Sequence, residues 1–347
     1  MTARPARSPL AAAPSRRRRG PRVAAVAIAA ALTLTACASS PPQPSPEPAP
    51  AVAPAAVVPA QSDRILDALG LVLAAGDKKL DADALKPRLE EPALTMRGAE
   101  YVRADATDGK REPTALPTTA QATIVPRTDS WPRTQVVVTD QPDDLQAQRI
   151  LVLRQDDPRA QYKLWGWSRL LPGTEMPQTA PALVGSPVVA PDSSALTVAP
   201  QDALDQYADL LENGSKSDHA DAFEKNASLT EIEELRTRNE KAVKGSGTYD
   251  ESYTADDEPV VSLGTIDGGA IVVGGITSVA ATTITLKGAT VPISDPFYRA
   301  LSGKKTASKS FTRTSTDVLV LYVPPKGSDD NMRVLAFESV ITGAKAS

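Results

Sequence analysis

The 347-residue chain has one cysteine, one histidine and 4% aromatic residues. A lone cysteine excludes an internal disulfide. With a lone histidine it also excludes a Cys-based or multi-His metal site and more than one His-based catalytic centre. No P-loop, kinase signature, dinucleotide fingerprint or Gly-x-Ser-x-Gly elbow occurs. Proline (31 residues) outnumbers glycine (20), which marks a chain only partly committed to a packed core. Hydrophobic residues still make up 41%, enough for a core, and the length suits about two domains. No cofactor, metal or catalytic residue set emerges from these features.

Residues 1–36 read as a targeting segment, not as structure. Arg16, Arg17, Arg18, Arg19 and Arg22 form a basic region, and Val23 to Ala36 is an apolar run. That run is shorter than the roughly 20 residues a membrane-spanning helix needs. It ends in Leu34-Thr35-Ala36-Cys37, which resembles the bacterial lipobox. The resemblance implies that a peptidase cuts before Cys37 and that its thiol carries a diacylglycerol with acyl chains such as palmitate. Without residues 1–36 the chain keeps 31 basic and 42 acidic residues, a net charge of −11. Such a chain is a poor partner for nucleic acid or a bare anionic membrane, so the expected membrane contact is the lipid itself.

Cys37 and the Pro/Ala-rich stretch after it, to residue 62, read as a linker. Ala38 to Gln61 holds eight prolines in 24 residues and no aromatic, which favours extended polyproline II.

Beyond the linker the chain repeats itself. Leu66-Asp67-Ala68-Leu69 to Gly76 aligns with Leu204-Asp205-Gln206-Tyr207 to Gly214 at one offset, and Ala82-Asp83-Ala84-Leu85 then aligns with Ala220-Asp221-Ala222-Phe223. This divides the chain into residues 63–190 and 191–347. Each half opens with a helix whose apolar residues recur at helical spacing and which should stop at Gly76 or Gly214. Short second helices are expected at 82–89 and 218–226. A third, Leu229–Val243, is expected behind a Ser228/Glu231 capping box. Strands are expected at 100–103, 119–125, 133–138, 149–154 and 161–170, then at 259–265, 270–286, 308–323 and 332–342. Strands in succession without helices between them imply antiparallel sheet. The expected class is α+β: two tandem modules, each with N-terminal helices packed on a curved antiparallel sheet.

A helix followed by long antiparallel strands resembles the cystatin-like and nuclear-transport-factor-2-like cone folds. The whole layout (lipobox, Pro-rich linker, duplicated helix-plus-sheet region, and the phrase Asp267-Gly268-Gly269-Ala270-Ile271-Val272-Val273) is similar to actinobacterial surface lipoproteins with an uncharacterised domain. The resemblance supplies no catalytic motif.

Trp165 and Trp167 flank Gly166 on a strand, so by parity both face one side. They read as core or, less simply, as an aromatic platform for a ligand. Tyr101 joins them as a candidate on the strand expected at 100–103, sharing a face with Asp105. His219, in a polar stretch, reads as solvated or capping and not as a general base. Asp250, Glu251, Asp256, Asp257 and Glu258, with Tyr249 and Tyr253, lack calcium-loop spacing and read as a solvated loop. Lys304, Lys305, Lys309 and Arg313 form a small basic patch that would suit an anionic cell-wall polymer. Together these imply a lipid-anchored, non-catalytic binding or scaffolding protein on the outer face of the cytoplasmic membrane, contacting an envelope protein or wall polymer. A cone-fold enzyme or carrier for a small apolar ligand is the alternative, favoured by a deep pocket with a buried, partnerless carboxylate. A solute-binding protein feeding a transporter ranks lower, since such proteins alternate strands with helices in two lobes.

Overall fold

Pro59 occupies the first turn of the first helix, α1 (Pro59–Lys79), where its missing N–H is no loss. Ile65, Leu66, Leu69 and Leu73 recur at helical spacing and form its buried stripe. The computed structural model describes residues 52–142 and 146–347, and these are α+β. The lipobox, Cys37 and the linker up to residue 51 lie outside the described residues.

After α1 come a single 3-10 turn (Asp83–Leu85), α2 (Ala93–Ala106), and strands β1 (Ala120–Ile124), β2 (Arg133–Thr139), β3 (Arg149–Gln155) and β4 (Lys163–Leu170). The second half begins with α3 (Pro200–Asn213), a 3-10 turn (Ala220–Ala222) and α4 (Ala227–Val243). Strands β5 (Gly247–Ala255), β6 (Val261–Gly264), β7 (Ala270–Ile284), β8 (Ser310–Val323) and β9 (Arg333–Ala346) follow, with the short helix α5 (Pro296–Ser302) before β8.

The halves follow one plan of helix, turn, helix and antiparallel meander. The plan extends to the backbone. The Leu164 N–H donates to the Arg88 carbonyl at 2.7 Å, and the Glu90 N–H donates to that of Leu164 at 3.1 Å. In the second half Met332 and Glu224 repeat this, donating to Ala222 and Met332 at 2.9 and 2.8 Å. The meanders join through their last strands in one nine-stranded sheet ordered β1-β2-β3-β4-β9-β8-β7-β5, with β6 beside β5 along β7. The joint is short: only Ala336↔Leu170 and Phe337↔Arg169 pair across it. The sheet is therefore continuous across the boundary expected near residue 190, and the described residues form one compact unit.

The continuously apolar run of β8 is covered on both faces. Val318, Val320 and Tyr322 enter a core shared with the first half, while Leu319, Leu321 and Val323 pack in a second core with Leu204, Tyr207 and Leu211 of α3. At Gly274 of β7 a Cβ would stand 2.3 Å from the Leu204 side chain, so glycine there lets α3 press onto the sheet.

Several expectations are corrected. Residues 100–103 are not a strand. They lie in α2, whose inward face carries Arg97 and Glu100, so its amphipathic period is hidden. Tyr101 and Asp105 therefore share no strand face. α1 does not stop at Gly76 but runs to Lys79, with Leu80 in the left-handed conformation as its cap. Gly76 serves close approach instead, since a Cβ there would lie 2.4 Å from Leu85 and 2.9 Å from the Tyr101 hydroxyl. The short helices expected at 82–89 and 218–226 shrink to single 3-10 turns. α4 is capped by Asn226, which accepts from the Leu229 N–H at 3.1 Å, and not by Ser228. The linker's last residues are packed: Val57 is buried, and the Ala56 N–H donates to the Pro126 carbonyl at 2.8 Å. Residues 247–255 are not a loop but the strand β5.

Candidate ligand pocket

Along β5 burial alternates strictly: Tyr249, Glu251 and Tyr253 turn inward, and Thr248, Asp250, Ser252 and Thr254 face solvent. The in-facing residues continue across the sheet as Ser278 and Ala280 on β7, Arg313, Ser315 and Asp317 on β8, and Phe337, Ser339 and Ile341 on β9. Ile232 and Leu235 of α4 cover this face and leave a cavity of about 270 Å³ between helix and sheet. α4 is held there by Arg236, whose guanidinium donates to Glu251 at 2.9 Å and to the Leu211 carbonyl.

Glu251 is the hub of one wall. It accepts from the Tyr249 hydroxyl at 2.5 Å, from the Tyr253 hydroxyl at 3.2 Å and from Arg236. Burial first, and Glu251 second, push the Tyr249 phenol up to about 12 and raise that of Tyr253. Arg313 donates to the hydroxyls of Tyr249 at 3.3 Å and Tyr298 at 3.5 Å, and its guanidinium lies over the Tyr298 ring. Among the described residues it has no carboxylate within ion-pair distance.

Asp317 is 1% exposed, and neither carboxylate oxygen makes a hydrogen bond of ordinary geometry. Burial pushes its pKa up to about 6, and the Ser339 and Ser278 hydroxyls hold that rise back in part. Ser339 stands directly opposite on β9. Tyr207 of α3 is fully buried against Phe223 and Phe337, and burial raises its phenol pKa, with a smaller contribution from the Asp317 charge.

The first half treats its buried charges differently. Arg97 grips Asp77 through two hydrogen bonds of 3.0 and 2.7 Å, reaches Glu100 at 2.8 Å and donates to the Thr114 carbonyl at 2.6 Å. Tyr101 donates to Asp77 at 2.6 Å, and Arg103 adds a contact to Glu100. Two cations thus meet two carboxylates, the arrangement that lets buried charge persist as architecture. Glu338, on the opposite sheet face at the seam, is pushed up to about 7 by burial, with Arg169 3.8 Å away. Asp317 has no such counter-charge.

The sequence candidates fall elsewhere. Trp167 is fully buried and Trp165 nearly so, both in the first core, so they form no exposed platform. Gly166 between them lies under Val318, which a Cβ would meet at 3.0 Å. Tyr101 belongs to the Arg97 network. His219 precedes the 3-10 turn at Ala220–Ala222, its N–H on Ser217, and does not line the cavity. Lys304, Lys305 and Lys309 are exposed, whereas Arg313 leaves the supposed basic patch and faces the cavity. Asp317 went unnoticed in sequence. Its signal was phase: it shares parity with Leu319, Leu321 and Val323 in a strand buried on both faces. A larger groove of about 580 Å³ beside Trp131 has Glu258 as its only carboxylate, and that residue is exposed.

Among the described residues no helix is long and apolar enough to cross a membrane, and no group of three or more His, Cys, Asp or Glu is placed to hold a metal ion. A family model, "Domain of unknown function (DUF8094)", matches residues 53–346. The chain belongs to this family. No curated protein and no solved structure matches the chain. The DUF8094 match spans both halves and the strands that line the cavity.

Proposed function

We propose that this DUF8094 protein is a lipid-anchored protein of the cell envelope, on the outer face of the cytoplasmic membrane, that binds a small molecule in its second half without transforming it. The observation that carries the binding reading is Asp317: a buried carboxylate without a counter-charge, at a cavity between α4 and the sheet. Burying a charge without a partner is unfavourable, and a ligand that supplies the partner removes that cost. The Leu34-Thr35-Ala36-Cys37 lipobox supports the anchor. The shared plan of the halves supports an origin by duplication.

The anchor is tested by Cys37→Ala, which should move the protein out of the membrane fraction; unchanged fractionation refutes it. Binding is tested by native mass spectrometry of the mature protein extracted from its host. A small-molecule adduct should be present in the wild type and absent in Ile232→Trp, which fills the cavity. A bare wild-type mass, or an adduct indifferent to Ile232→Trp, overturns the reading.

One observation favours a second reading, an enzyme of the cone-fold type. Burial brings the Asp317 pKa to about 6, within the range useful to a general base. Chemical change in the adduct recovered from wild type but not from Asp317→Asn would favour it.

A further inference from the structure

The cavity holds two charges of opposite sign, neither of which has an ion-pair partner among the described residues. Arg313 and Asp317 lie four residues apart on one face of β8. At the rise of an extended strand their Cα atoms are about 13 Å apart, too far for the Asp317 carboxylate to neutralise the guanidinium. The guanidinium is oriented by neutral phenols, and the carboxylate oxygens have no hydrogen bond of ordinary geometry, only the Ser339 and Ser278 hydroxyls near them. The other two charges at this site, Glu251 and Arg236, already satisfy each other at 2.9 Å. The free charges of the site therefore sum to zero while remaining separated. Between them the wall from α4 is apolar, formed by Ile232 and Leu235. A volume of about 270 Å³ corresponds to the liquid share of roughly nine waters, so the occupant is small.

The geometry points to a zwitterionic, elongated ligand: a carboxylate or similar oxyanion at Arg313, a protonated amine or guanidine at Asp317, and a short apolar spacer lying against α4. This rests on the binding reading above and narrows it. A purely anionic molecule would leave the buried Asp317 carboxylate unanswered, and a purely cationic one would leave the half-buried Arg313 guanidinium without a counter-charge. A wholly apolar molecule would leave both, and either shortfall weakens binding relative to a matched ligand.

The test uses the full-length wild-type protein and isothermal titration with ω-amino acids of six to ten carbons, against alkanoates and alkylamines of matched length. The expected result is an affinity optimum at one amino acid length, with the single-headed analogues weaker by about tenfold or more. Arg313→Gln should equalise the amino acid and the amine, and Asp317→Asn should equalise the amino acid and the alkanoate. Circular dichroism establishes that each variant is folded, and Arg313→Lys, which keeps the charge, should retain most of the preference. If a single-headed analogue binds as well as the amino acid and Ile232→Trp blocks both, the zwitterion assignment is wrong while the binding reading stands. If none of the probes binds, the zwitterion assignment is also overturned. The adduct experiment above then decides separately whether the cavity binds anything.

Discussion

Replacing Asp317 by Asn tests the physical premise of the cavity without any ligand. The substitution keeps shape and removes charge. In the folded protein burial raises the Asp317 pKa from an ordinary 3.8 to about 6. The folded state therefore holds this proton more tightly than the unfolded chain does. The sign follows: below about pH 4 the carboxyl is neutral in both states and costs nothing, and as pH rises from about 4 to 6 the fold loses stability. Above about 6 the full penalty is present. A shift of roughly two pK units, at 1.36 kcal/mol each, gives about 3 kcal/mol as its ceiling. For a body of this size 1 kcal/mol moves the melting temperature by about 2 °C or slightly more. The Asn variant should thus melt up to about 6 °C above wild type at pH 8, with the difference vanishing near pH 4. Thermal melts of both proteins from pH 4 to 8 measure it. Glu338, which burial pushes up to about 7, titrates in both proteins and cancels in the difference because it sits on the opposite sheet face. A difference that is flat with pH, or an Asn variant less stable at pH 8, would refute the claim that Asp317 is buried without a partner.

Other substitutions separate architecture from site. Arg97→Ala leaves Glu100 and Asp77 without their shared cation and should destabilise by about 3–5 kcal/mol in denaturant unfolding; a loss under 1 kcal/mol would mean that the network is solvated. Trp167→Ala should cost about 3–5 kcal/mol, as expected for emptying a packed core, and a small loss with a new ligand phenotype would restore the platform reading. His219→Ala should change stability by no more than about 0.5 kcal/mol and leave the adduct of the wild type in place; loss of that adduct would give the histidine a role that its position outside the cavity does not suggest.

Most strands were legible because their signals are local. Residues 133–138 and 149–154 carry β-branched and aliphatic runs that need no partner to be recognised, and the structure places β2 and β3 there. The Val318–Val323 run reads as a strand covered twice, and two separate cores cover it. α2 was not legible, because its buried face carries Arg97 and Glu100, and charged residues on an inward face erase the apolar period that identifies a helix. β5 was hidden by its acids. Alternation of Tyr249, Glu251 and Tyr253 was the available cue, outweighed by Asp250, Asp256, Asp257 and Glu258 around it.

The sequence by itself determined the class of fold, the positions of most strands and the shared opening of the two halves, and its lipobox-like Leu34–Cys37 stretch directs the anchor proposal. Each depends on residues within a few positions of one another. Only the tertiary structure decided that the two meanders fuse through β4 and β9, that Trp165 and Trp167 are core, and that a cavity lies between α4 and the sheet. The isolation of Asp317 belongs with these. Whether a carboxylate is paired depends on which cations arrive within a few ångströms from strands and helices distant in the chain. The residues lining its cavity come from five elements spread over more than a hundred positions, Ile232 to Ile341, and no local pattern records that no cation among them reaches it.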